Sequence, residues 1–175
     1  MSYTYTYPRP ANTTDTVVFN WVSPSLYVLL IQRAKEPFKG MWATPGGFVE
    51  INELCEVGAK RELLEETNIV TDSIYFSHIA DAVERDPRGR IISFIYYVLT
   101  ANLNQQATAG DDAACAQWFN IKELPELACD HSENIAKALA NLFQQMQLHK
   151  EKFEKQTISK HDLEEIFHFL KNYVK

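Results

Sequence analysis

Cysteine is scarce in this 175-residue chain. Its three copies, Cys55, Cys115 and Cys129, are far apart and have no C-x-x-C spacing. That pattern argues against a disulfide framework or a thiolate zinc site. Long apolar runs are lacking too, since the longest, Ile91 to Leu99, is about half of a membrane span. The opening MSYTYTYPRP has no basic segment followed by an apolar one, so no targeting signal is read there. The expected setting is a reducing, cytoplasmic one, with no membrane partner. Positive charge is in deficit: 17 Lys and Arg face 23 Asp and Glu, a formal charge of −6. A field of that sign repels polyanions and argues against indiscriminate nucleic-acid binding. Any phosphate must be held locally, by a few placed cations or a metal.

What is present suits one compact domain: 46% hydrophobic, 12% aromatic and 23% charged residues, close to the average soluble globular protein. No internal repeat or low-complexity block interrupts it. Val17 to Val22 and Leu26 to Gln32 are apolar, β-branched runs on either side of Ser23-Pro24-Ser25, which predicts a strand pair joined by a turn. Arg33 to Gly47 reads as a loop carrying Arg33, Lys35 and Lys39, with Phe38 and Trp42 interleaved. Those aromatics suit either base stacking or packing beneath the glycines. Glu53 to Thr67 is rich in helix formers, with Asn52 placed as an N-cap and Asn68 able to take the left-handed turn at the other end.

Further strands are expected at Tyr75 to Ile79, Ile91 to Thr100 and Ala116 to Phe119, and a helix from Ser132 to about Leu148. After a polar break, Leu163, Ile166, Phe167, Leu170 and Val174 recur at helical spacing. The tail is therefore an amphipathic helix that packs on its own domain or on a second copy, and the second arrangement would give a homodimer. Its polar face mixes Glu and Lys, unlike the basic face of a membrane-surface helix. The division expected is a main domain over 1–148 and a helical extension over 149–175.

One helix contradicts ordinary surface electrostatics. At about 100° per residue, Glu62, Glu65 and Glu66 fall within one arc of roughly 100°. Glu62 and Glu66 are a like-charge i,i+4 pair near a helix C-terminus, where the macrodipole also disfavours anions. The arc is either a solvated acidic face or a site for a divalent cation such as Mg²⁺ or Mn²⁺, which takes carboxylate oxygens and pairs with phosphates. Gly58, beside Cys55 and Ala59, favours the second reading by letting another segment come close. Just before the helix, Gly46-Gly47 turns the chain tightly and exposes peptide carbonyls, further oxygen ligands for the same ion. Arg61, on the edge of the arc, is placed to pair with and orient a carboxylate.

From Gly47 the chain runs five residues to Glu53, seven more to Arg61, then Arg61-Glu62-Leu63-Leu64-Glu65-Glu66-Thr67-Asn68-Ile69. This resembles the Nudix hydrolase signature, G-x(5)-E-x(7)-R-E-U-x-E-E-x-G-U with U a bulky aliphatic, at every defined position except the last glycine. There Asn68 stands instead, the commonest other visitor to the left-handed region. Glu36-Pro37-Phe38-Lys39-Gly40, Trp42 to Phe48, Asp86 to Arg90 and Gly110-Asp111-Asp112-Ala113 are similar to the branch that handles ADP-ribose and related NAD metabolites.

The resemblance implies an α/β fold, an α/β/α sandwich around a mixed sheet, with Mg²⁺-dependent cleavage of a nucleoside diphosphate joined to another group. ADP-ribose would give AMP and ribose 5-phosphate. By position, Glu62, Glu65, Glu66 and the Gly46 carbonyl would hold the metal, and Arg61 and Glu53 would be the structural pair fixing loop to helix. Relatives commonly end the segment Asp111 to Cys115 with Glu, and Cys115 can neither ligate Mg²⁺ nor act as a carboxylate base. The base is then a water activated by the metal, Glu62, or an acid near Asp111 and Asp112. Arg33, Arg88 and Arg90 are candidate substrate cations; Arg88 and Arg90 suit either a bidentate anion clamp or a solvated turn. Two alternatives stand beside ADP-ribose hydrolysis. One is an oxidised nucleoside triphosphate or NADH as substrate; the other is an ADP-ribose-sensing regulator that does not hydrolyse its ligand.

Overall fold

The computed structural model describes residues 4–103, 113–149, 151–154 and 158–174. Its centre is β1 (Ala11–Val22), a strand buried over most of its length. It pairs antiparallel with β2 (Ser25–Arg33) near its end and with the short β4 (Gly46–Phe48) near its start. Along its other edge β1 runs parallel to β6 (Ile91–Ala101), in register from Ala11 with Ile91 to Trp21 with Ala101. The sheet is completed by β3 (Trp42–Ala43) and β7 (Ala113–Asn120), both on β2, and by β5 (Tyr75–Ala80) on β6. It is a mixed sheet of seven strands.

Strand alternation sorts the core into two layers. On one face, Val17, Phe19, Leu26, Val28, Ile95 and Tyr97 pack against α2 (His131–Leu148) and α4 (Lys160–Tyr173). On the other, Val18, Leu29 and Val98 meet Leu63 of α1 (Cys55–Thr67). Helices on both faces of one sheet make the α/β/α sandwich that the resemblance implies. Asn20, buried near the end of β1, exchanges two hydrogen bonds with the Leu103 backbone, which pair its side-chain oxygen and nitrogen.

The tail belongs to this same core. Leu163, Ile166 and Leu170 of α4 are fully buried with α2, and Ser159 caps the helix by accepting the Asp162 N–H at 3.0 Å. Of the two packing arrangements expected for the tail, it takes the one on its own chain. The apolar stripe is thereby covered and no longer argues for a dimer. The polar break before it contains a short helix, α3 (Glu151–Glu154), with Phe153 fully buried.

Three local expectations are corrected. The segment from Arg33 to Gly47 is not all loop, since it contributes β3 and the start of β4, whose partners lie on distant strands. The helix begins at Cys55 and not at Glu53, with Leu54 in the capping position and no side-chain cap. The reason is Glu53, whose carboxylate accepts the Glu50 N–H at 2.8 Å and holds that segment in a turn. Asn52 therefore lies outside the cap. Asn68 does end the helix in the left-handed conformation, φ 57°, with its N–H donating to the Leu64 carbonyl.

Candidate active site

Arg61 is the hub of the acidic helix. Its Nε and Nη2 grip the two Glu53 oxygens at 3.1 and 2.7 Å, and Nη2 also donates to the Phe48 carbonyl at 3.1 Å. The remaining Nη1 reaches Glu62 at 2.8 Å and Glu65 at 3.0 Å. One guanidinium thus ties the glycine turn, the pre-helix turn and the helix together. The same contacts hold the Glu53 carboxyl below the usual carboxylate range, the hydrogen bond to Arg61 being the main cause.

The glutamates of the arc differ in environment. Glu65 is exposed and turned to Arg61, whereas Glu62 and Glu66 line one cavity of about 250 Å³ with Arg33, Lys35 and the Gly46-Gly47 turn. Glu66 is only 8% exposed and accepts the Gly46 N–H at 2.8 Å. Burial pushes its carboxyl up to about 8, helped by the negative charges of Glu62 and Asp15. Burial also raises Glu62, against the opposing pull of Arg61. Glu66 is thus a buried carboxylate short of compensating positive charge, while Glu62 has Arg61 beside it.

The glycines are explained by close approach. A Cβ on Gly47 would stand 2.5 Å from the Glu62 carboxylate, and one on Gly46 would strike the Thr14 carbonyl. Gly58 does not admit a backbone segment, as the sequence suggested, but the Glu53 carboxylate, 2.8 Å from where its Cβ would be.

A second cavity, about 120 Å³, adjoins the first and shares Ile31, Arg33, Gly46, Gly47 and Phe48 with it. Asp15, Thr44, Arg85, Arg88 and His131 contribute to it. Arg33 and Arg88 are thus brought to the site, Arg33 bound through Nε to the Pro37 carbonyl and Arg88 paired with Asp86 at 2.7 Å. Arg90 lines neither cavity; its Nη1 braces the carbonyls of Asp81 and Ala82 at 2.6 and 3.2 Å. Trp42 packs edge-on against Phe119, centroids 4.7 Å apart, while Phe38 lines the second cavity. Asp111 and Asp112 lie outside the described residues, and Cys115 is a half-buried free thiol on β7 opposite Gln32.

Sequence reasoning missed Asp15, Arg85 and His131. Asp15 is buried on β1 and accepts a hydrogen bond from the fully buried Ser93 hydroxyl. Arg85 is fixed by a two-pronged pair with Asp130, both distances 2.7 Å. His131 shares a 2.8 Å hydrogen bond between Nδ1 and the Thr44 hydroxyl, and burial holds its imidazole below the usual range.

With this geometry in place, the likenesses to known proteins can be read. Residues 10–142 match the NUDIX domain, and the chain belongs to that family. It is 40% identical over 108 residues to the ADP-ribose pyrophosphatase of Methanocaldococcus jannaschii, covering 62% of this chain and 63% of that protein. It is 34% identical to the ADPR responsive transcriptional repressor NtrR of Acinetobacter baylyi, covering 78% and 56% respectively. A MutT/nudix family protein from Enterococcus faecalis has the same fold, with TM-score 0.84 and 29% identity over 97% of this chain and 76% of that one. The chain spans about three-fifths of the length of the two curated relatives. Among the described residues no helix is long and apolar enough to cross a membrane.

Proposed function

We propose that this chain is an Mg²⁺-dependent pyrophosphohydrolase that cleaves ADP-ribose to AMP and ribose 5-phosphate. The observation that carries the reading is the shared cavity of Glu62 and Glu66, one carboxylate half-buried and tied to Arg61 and the other buried with its charge uncompensated, beside Arg33 and the glycine turn. The likeness to an ADP-ribose pyrophosphatase supports the substrate.

The residues fit a hard divalent cation. Mg²⁺ keeps several waters and is held by one or two carboxylates together with substrate phosphates. Two facing carboxylates are what the cavity offers, and among the described residues no three His, Cys, Asp or Glu side chains form a ready-made cluster. Glu62 and Glu66 would be the principal ligands, with the Gly46 carbonyl beside them, and Mn²⁺ suits the same oxygens; Glu65, expected in this set from the sequence, is turned to Arg61 and does not line the cavity. When bound, the ion neutralises pyrophosphate oxygens and lowers the pKa of the attacking water.

The chain's own residues do the rest. Arg33, at the junction of the two cavities, binds a phosphate and sets it over the glycine turn. Gly46 and Gly47, lacking side chains, let the phosphate lie against the backbone. Arg61 holds Glu62 in place through one oxygen, which supports the Glu62 carboxylate as the base that would take a proton from water. The three cysteines are free, which supports a reducing, cytoplasmic setting.

The test is a substrate panel with and without Mg²⁺. AMP from ADP-ribose that stops on chelation supports the reading. Release from NADH or an oxidised nucleoside triphosphate, with ADP-ribose untouched, moves it to those substrates. The likeness to a transcriptional repressor over 78% of the chain favours a second reading, an ADP-ribose-responsive regulator. Tight ADP-ribose binding without turnover, with DNA retardation that responds to the ligand, would establish that reading instead.

A further inference from the structure

A row of polar side chains crosses the fold from β5 to the second cavity, and each neighbouring pair in it is hydrogen-bonded. Ser77 Oγ and His78 Nδ1, both on β5, meet at 2.9 Å, and His78 Nε2 lies 3.2 Å from Asn134 Oδ1 on α2. Asn134 Nδ2 reaches Asp130 Oδ1 at 3.1 Å, and Asp130 accepts Nε and Nη2 of Arg85, both at 2.7 Å. Asn134 is 1% exposed, Ser77 8% and the Arg85 side chain 5%. The layer between the sheet and α2 is otherwise built of aliphatic and aromatic side chains. An apolar residue at 78 or 134 would fill it without desolvating an imidazole or an amide, so packing does not account for the row. What a satisfied buried network supplies is orientation.

The row runs in one direction. Burial opposes the charge of Asp130, but the bonds from Arg85 outweigh it and hold the carboxyl below its usual range, so this end only accepts. The end of the Asn134 amide that faces it is therefore the NH₂ group, and the amide oxygen is turned to His78. That oxygen also only accepts. The imidazole proton accordingly sits on Nε2, Nδ1 is bare, and the Ser77 hydroxyl donates to it. Burial lowers the His78 imidazole, against the pull of its Asn134 bond, which keeps the ring neutral near pH 7. The other tautomer would set acceptor against acceptor at Asn134.

Each member thus fixes the next, and the last is Arg85. The Asn134 amide and Arg85 Nη2 share a single oxygen, Asp130 Oδ1, so the set of the amide bears directly on the guanidinium. Arg85 stands in the turns between β5 and β6, and its carbonyl is held by the Cys129 thiol, next to Asp130. It lines the second cavity with Arg33, Gly46 and Gly47, whereas Ser77, His78 and Asn134 line neither cavity.

We propose that Ser77, His78 and Asn134 are positioning residues for substrate binding: through Asp130 they hold the Arg85 guanidinium at the cavity wall beside the glycine turn, and substrate affinity depends on them from outside the site. The inference rests on the pyrophosphatase reading, which brings an anionic substrate to the Arg33 side of that cavity. A cation displaced by a fraction of an ångström there weakens the grip on an anion without touching the metal or the water.

The experiment is done on the full chain. Nitrogen NMR of the unsubstituted protein should show His78 neutral, with the proton on Nε2. His78→Leu removes the donor to Asn134; it should raise KM for ADP-ribose about fivefold, the worth of one hydrogen bond, with a smaller change in kcat, and quicken solvent exchange of the Arg85 Nε–H. His78→Gln, whose amide can donate to the same oxygen, should bring both readouts back to within about twofold of the parent. Should His78→Leu fail to fold, Ser77→Ala, which takes away the donor to Nδ1, is read in the same way. A proton on Nδ1 overturns the proposal, as does an unchanged KM and Arg85 exchange in His78→Leu, or a Gln variant no better than the Leu one. If ADP-ribose binds without turnover, calorimetric affinity replaces KM and only the hydrolase reading fails. If it neither binds nor turns over, that reading fails and the substrate-binding role proposed here falls with it, while the tautomer and the Arg85 exchange still report whether the row orients Arg85.

Discussion

Glu66 offers the sharpest test of the site, because its burial makes a stability prediction of unusual sign. A free glutamate carboxyl sits near 4.5, and in the fold burial beside Glu62 and Asp15 lifts it to about 8. A carboxyl whose folded value is raised holds its proton more tightly in the folded state. Stability without metal is therefore greatest below about 4.5, is lost as the pH climbs toward 8, and is flat above that. At ~1.4 kcal/mol per pH unit, the full span corresponds to roughly 5 kcal/mol, an upper bound because side chains and water relax around a buried charge. Even about 2 kcal/mol moves the melting temperature of a chain this size by about 4–8 °C. Glu66→Gln keeps the shape and an oxygen for the Gly46 N–H but removes the charge. In EDTA at pH 9 the variant is expected to melt several degrees above the parent, and at pH 5 the two nearly coincide. Mg²⁺ should restore the parent and leave the variant unchanged. A parent curve that is flat from pH 5 to 9 in EDTA, or a variant less stable at pH 9, refutes the electrostatic account of the cavity.

Other perturbations separate positioning from chemistry. Gly47→Ala drives a methyl into the Glu62 carboxylate and should lower turnover at least a hundredfold with little loss of stability, whereas Gly46→Ala meets the Thr14 carbonyl and should also unfold more readily in urea. Arg61→Ala leaves Glu53, Glu62 and Glu65 without their shared partner; the urea midpoint should fall, and Mg²⁺ should recover part of the loss. Asp130→Ala strands the nearly buried Arg85 guanidinium and should cost roughly 3–5 kcal/mol by the same measurement. Ser159→Ala removes the α4 cap and should cost about 1 kcal/mol, while Leu163→Ala in the same helix should cost about 2–4 kcal/mol because its side chain is fully enclosed.

What was legible in the sequence was whatever repeats at fixed spacing. The Glu62–Glu66 pair and the Asn68 cap follow from intervals along one helix, the Arg61–Glu53 tie from the resemblance to the Nudix signature, and the structure has Arg61 on both Glu53 and Glu62. The tail was legible for the same reason, its stripe of Leu163, Ile166 and Leu170 marking the face that is buried. The pieces that escaped are defined by distant partners. Trp42-Ala43 and Gly46-Gly47-Phe48 are strands only because β2 and β1 lie beside them. Asp15, Arg85 and His131 sit in three separate elements, and nothing local distinguishes a buried Asp in a Thr-rich segment from an exposed one. Their one signal is indirect: Thr13 to Thr16 is a polar run leading straight into the apolar core of β1, more polar than a central strand needs unless its end lines a cavity. Arg90 shows the opposite error, a cation near the site whose donors are taken by the loop that carries it.

The central claim is that Glu62 and Glu66 of α1, which share one cavity, serve the cleavage of a pyrophosphate bond. Phosphorus NMR of ADP-ribose incubated with the protein and Mg²⁺ tests it most directly, because it reads turnover and the bond broken together. Replacement of the pyrophosphate signals by those of AMP and ribose 5-phosphate, abolished in Glu66→Gln, is the predicted result. An unchanged pyrophosphate spectrum with the protein in excess, or products that persist undiminished in Glu66→Gln, would contradict it.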